Sequence, residues 1–97
     1  MTSKDRISEA QRMAQTLGIV VGAASCCEQV TKERVDAIAA KLRRLVSATA
    51  DDAADADAAN EQFSAALDAG KTAVEIGKID PEHAEEALTE LEQQLYV

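Results

Sequence analysis

Leu45-Val-Ser-Ala-Thr-Ala-Asp-Asp-Ala-Ala-Asp55 lies at the middle of the 97-residue chain, and its reading decides the fold. Upstream of it, Val35, Ile38, Ala39, Leu42, Leu45, Val46 and Thr49 recur at three- and four-residue spacing, which is the stripe of an amphipathic helix. Downstream, the same heptad runs on in phase through Ala53, Ala56, Asn60, Phe63, Leu67, Gly70 and Val74, and no Gly or Pro interrupts residues 23–69. Periodicity alone permits one helix from Val35 to Gly77. Charge favours a break. Lys41, Arg43 and Arg44 precede the stretch, while Asp51, Asp52, Asp55 and Asp57 follow it. Cations stabilise a helix C-terminus and anions an N-terminus, by about 0.3–1 kcal/mol each. Thr49-Ala-Asp-Asp52 also resembles a capping sequence, and one continuous helix would leave little chain to pack against it. The expectation is two antiparallel helices joined by a tight turn near residues 48–52.

Outward from this hairpin, the same logic predicts a helix on either side. Ser3 is a candidate N-cap for a first helix whose apolar positions are Ile7, Ala10, Ala14, Leu17 and Val21. Gly18 and Gly22 weaken its later turns, so it should end between Leu17 and Ala24. Ser25-Cys-Cys-Glu28 has the form of a capping box, and Thr31 is a second possible start for the next helix. On the other side, Gly77-Lys-Ile-Asp-Pro81 combines a terminating Gly, an Asp cap and a Pro suited to the first helical position. Ala84, Leu88, Leu91 and Leu95 then form the inner face of a short final helix. Sustained alternation of β-branched residues and Asn-Gly or Asp-Gly turns are both absent. The fold class is therefore all-α: residues 1–97 form a single domain, a small antiparallel bundle of about four helices, with short loops setting sequential neighbours antiparallel.

Composition limits how such a bundle is held. The chain has 20 Ala but only 7 Leu, 7 Val, 5 Ile and 1 Phe. Large apolar residues thus make up about a fifth of it, near the composition where disorder begins, so the core must be thin and rich in alanine. The net charge is −8 and unevenly spread. Residues 1–50 carry eight basic and five acidic side chains, and residues 51–97 carry two basic and thirteen acidic ones. An acidic chain with one Phe, one Tyr and no Trp lacks both the basic surface and the stacking aromatics of a nucleic-acid binder. Attraction to an anionic membrane is disfavoured for the same reason. No stretch reaches the roughly 18 apolar residues that span a bilayer. The apolar run from Leu17 to Cys27 invites a signal-peptide or lipoprotein reading, but it is short, follows Asp5 and Glu9, and has Ala23 three positions before Cys26. A cytoplasmic location is expected, and two adjacent cysteines fit a reducing compartment better than a disulfide scaffold.

Catalytic and metal-binding patterns fail one by one. His83 is the only histidine. Asp80-Pro-Glu-His83 has the spacing of one di-iron element, but such sites need that element on two helices. The flanking acids would also repel a phosphodonor, which leaves a solvated residue in the first turn of a helix. Asp51 to Asp57 places Ala53 and Ala56 where a calcium loop needs an oxygen ligand and a Gly. Gly18-Ile-Val-Val-Gly22 lacks the Gly-Lys-Ser/Thr of a phosphate loop. Nothing calls for a cofactor. Cys26 and Cys27 are the most unusual local feature. Adjacent thiols diverge on a helix, so the plain expectation is one packed in a helix junction and the other partly exposed; the sharper one is a redox switch at a helix N-terminus.

What remains is surface for other proteins. Ile19, Val20 and Val21 are consecutive β-branched residues that a single helical stripe cannot bury together. They are candidate anchors for a partner, with Lys41, Arg43 and Arg44 offering charge to an acidic patch. The alanine-rich face from Ala48 to Ala73 either packs against the first helix or forms a seam between chains. The function expected is non-enzymatic: protein–protein contact by an adaptor, accessory subunit or regulator. The alternatives are a self-assembling helical hairpin, suggested by the near-unbroken heptad, and a thiol-based sensor at Cys26 and Cys27.

Overall fold

A computed structural model describes residues 8–95, which form four helices: α1 (Glu9–Ala24), α2 (Lys32–Thr49), α3 (Ala53–Glu75) and α4 (Pro81–Leu95). Ser3 and Ile7 lie outside the described residues. The cap of α1 is Ser8, whose Oγ accepts the Gln11 N–H and donates to Asp55 Oδ1 at 2.7 Å. Ser25 does not start a helix. It ends α1, its hydroxyl donating to the Gly22 carbonyl, and residues 25–31 form an irregular connection. The start of α2 is capped by Thr31, which accepts the Arg34 N–H.

The break between α2 and α3 falls at Ala50–Asp52, within the expected window, so the single-helix alternative does not hold. Its cap is not Thr49, whose hydroxyl donates back to the Leu45 carbonyl. Asp52 caps α3 instead, accepting the Asp55 N–H at 2.8 Å, while Asp55 reaches back to accept the Asp51 N–H. These reciprocal bonds satisfy donors that a helix start leaves open, and they place carboxylates at its positive end. At the far end of α3, Gly77 takes the left-handed conformation (φ 78°). Lys78 N–H donates to the Ala73 carbonyl and Gly77 N–H to the Val74 carbonyl, a Schellman closure. Asp80 then accepts the Glu82 N–H, and Pro81 opens α4.

The most extensive helix contact is between α1 and α3, which are not sequential and run parallel. Ser8 meets Asp55, Gln15 meets Gln62, and Gly18 meets Phe63 and Ala66. Their approach depends on small residues at four-residue spacing on α1: Ala10, Ala14, Gly18 and Gly22, all buried. A Cβ on Gly18 would lie 2.6 Å from Ala66 Cβ, one on Gly22 would strike the Leu67 carbonyl, and one on Gly70 would strike that of Ile19. The face of α3 used is Ala59, Phe63, Ala66 and Gly70, a rotation from the expected stripe that leaves Ala53 exposed and Asn60 only half-buried. α2 contributes Ile38, Leu42 and Val46 to the core, and α4 contributes Ala84 and Leu88. No polar or charged side chain is buried among the described residues. None of the helices is long and apolar enough to cross a membrane.

Candidate docking groove

Thin packing leaves a gap on one side of this core. α1 presents Met13 and Leu17 one turn apart, α2 presents Leu42 and Leu45, and α4 presents Leu91 and Leu95. Together they line a groove of about 450 Å³, within the range of binding pockets. Leu42 forms its floor with no exposure, and Leu45, which the heptad assigns to the core, is 38% exposed. Glu9, Arg12, Thr16 and Gln94 give it a polar edge. The chemistry on offer is apolar contact with a charged margin.

The residues expected to anchor a partner are dispersed. Val21 is fully buried and belongs to the core, which removes it from any docking surface. Ile19 is 36% exposed but faces a shallower hollow between α1 and α3, beside Gln15, Gln62, Ala65 and Ala69. Val20 is half-buried, and helical spacing puts it on the face of Met13 and Leu17, one turn beyond Leu17. Of the three cations, Arg44 is exposed and Lys41 half-buried. Arg43 is engaged within the bundle: its guanidinium stacks 4.8 Å from the Phe63 ring centroid and donates to Ser64 Oγ at 3.0 Å. Of the α3 alanines, Ala59 and Ala66 are buried, Ala66 against Gly18 of α1, while Ala53, Ala54, Ala65 and Ala69 are exposed.

Cys27 is buried at the α1–α2 junction and Cys26 is exposed, its Sγ 3.7 Å from the Gly22 carbonyl. Cys26 borders a hollow lined by Val30, Val35, Lys32 and Lys71. His83 is exposed in the first turn of α4. Asp55 is held by Ser8, Asp51 and Gln11, and the Ser8 hydroxyl above all keeps its carboxyl below the usual Asp range. Among the described residues, no three His, Cys, Asp or Glu side chains are gathered as a metal ion would require.

One cluster escaped the sequence reading. Arg34, at the start of α2, spans to α4: Nε donates to Glu92 Oε1 at 2.9 Å and to Oε2 at 3.1 Å, Nη1 to Glu85 at 3.1 Å, and Nη2 to Thr89 Oγ1 at 2.9 Å. Its Nη2 also meets Glu92 Oε1 at 2.6 Å. These bonds, that to Glu92 foremost, raise the Arg34 pKa further above its ordinary value. Glu85, Thr89 and Glu92 lie at i, i+4 and i+7, a stripe visible in the sequence, but nothing there marks a residue 51 positions earlier as its partner. No protein family matches this chain, and neither a curated protein nor a solved structure matches it.

Proposed function

We propose that the chain works by contact with another protein, without catalysis, and that the α1–α2–α4 groove receives the apolar face of a partner helix. One observation carries this reading: six large apolar side chains from three helices converge on a groove open to solvent, in a chain with few such residues to spare. An amphipathic helix fits a groove of this kind through anchors at i, i+3 or i+4, and i+7. A second copy of the chain is the other occupant, and Leu45 at 38% exposure favours it equally.

Light scattering behind size exclusion, over about a hundredfold range of concentration in reductant, separates the two occupants. A dimer that Leu45→Glu converts to monomer assigns the groove to self-assembly. With a monomer, a synthetic amphipathic helix bearing leucines at i, i+4 and i+7 should shift the amide resonances of Met13, Leu17, Leu45 and Leu91, and Leu45→Glu should weaken it by about tenfold. A monomer whose groove resonances ignore the peptide would refute the reading.

A further inference from the structure

α4 is attached differently from the other helices. It packs along α1, and α2 and α3 meet it only at isolated points. Its buried side chains are Ala84 and Leu88, whereas α1 buries seven residues and α3 four. It joins α3 through Gly77–Asp80, where Gly77 has open space about it and the adjoining Ile76 is 61% exposed. The tie to α2 is the Arg34 cluster, which holds two ion pairs, to Glu85 and Glu92, with side chains 21–26% exposed.

Arg34 is poorly placed for α2 itself. It sits in the first helical turn, where the Thr31 cap accepts its N–H and where a cation opposes the helix dipole. Its position serves α4: the guanidinium grips two carboxylates and a hydroxyl spaced along one face of that helix, in the paired geometry that makes Arg–carboxylate contacts directional. We propose that α4 is a hinged helix that opens as a unit about Gly77–Asp80, with Arg34 as the latch that keeps it closed. Opening removes Leu91 and Leu95 from the groove and withdraws Leu88 from the core, baring the apolar surface that it covers. The device depends only on how α4 is attached, so it stands or falls apart from what the groove receives.

Native-state hydrogen exchange on the full chain tests it, because elements that open separately exchange faster than the global unit. In the wild-type chain, α4 amides should exchange at least about tenfold faster than buried amides of α1 and α3. Arg34→Gln should speed α4 by about tenfold more, as loss of a bidentate charged pair implies, whereas Gly22→Ala, at the α1–α3 seam that stays formed when α4 opens, should speed α1 and α3 and leave α4 unchanged. Glu92→Gln should act in the same direction as R34Q and carries the comparison if R34Q does not fold. Equal exchange in α1, α3 and α4 of the wild-type chain overturns the hinge. An α4 rate untouched by both Arg34→Gln and Glu92→Gln overturns the latch, and an α4 rate that Gly22→Ala raises together with those of α1 and α3 overturns the hinge.

Discussion

Single residues set how closely this bundle packs. Gly22 and Gly70 are the points where the backbones of α1 and α3 touch, and each would drive a Cβ into the opposite main chain. Gly22→Ala gains about 1 kcal/mol in helix propensity, yet it must push two helices apart. Overpacking costs about 1–3 kcal/mol at side-chain contacts, and a backbone neighbour yields less than a side chain. The expected outcome is a net loss of about 2 kcal/mol, read as a fall in Tm of about 10 °C by circular dichroism. A melt at or above the wild-type temperature would mean the approach is looser than described. Asp55 works at the same scale. Its depressed pKa means the unfolded chain binds a proton more readily, so its stabilising effect is complete above the unfolded value of about 4 and is lost as pH falls through the lower folded value. Asp55→Asn should therefore flatten the decline of Tm below about pH 4, with little change in shape near neutrality. An unchanged acid limb would show that the Ser8 and Gln11 contacts do not persist in solution.

At the scale of elements, most boundaries were legible because they rest on local chemistry. Thr31, the Gly77–Pro81 terminator and the charge reversal around residue 50 act within a turn or two of chain, where sequence and structure share the same neighbours. The misreadings were local competitions. Asp52 rather than Thr49 caps α3, and Ser25 closes a helix instead of opening one. Ser, Thr and Asp hydroxyls and carboxylates serve both helix ends, and only the path of the chain decides between them. Asp52→Ala should cost about 1 kcal/mol and lower Tm by about 4–8 °C, since it removes the bond that starts α3. A cost near zero would transfer the boundary to the Asp51–Asp55 bond alone.

Across the whole molecule, the candidate surface was the least legible feature. Ile19, Val20 and Val21 stand out in the sequence, but on one helix they point in three directions: to a shallow hollow, toward the groove face and into the core. Leu17, Leu45, Leu91 and Leu95 looked like ordinary members of three stripes, and Met13 belonged to none. They become a groove because three helices diverge where small side chains leave the core thin. Arg43 and Arg34 show the same limit. Both are cations on α2, and tertiary contact directs one to the Phe63 ring and the other to α4.

Taken by itself, the sequence determined the all-helical class, the hairpin break and the identity of the terminators, because helix propensity, capping and period are properties of residues within a few positions of one another. Only the tertiary structure decided that α1 and α3 lie parallel in backbone contact, which face of α3 is buried, that Arg34 clasps α4, and where the groove opens. Those outcomes depend on which helices approach and how closely, and the approach follows from Gly and Ala side chains meeting across more than forty positions of chain, a pairing that no local periodicity encodes.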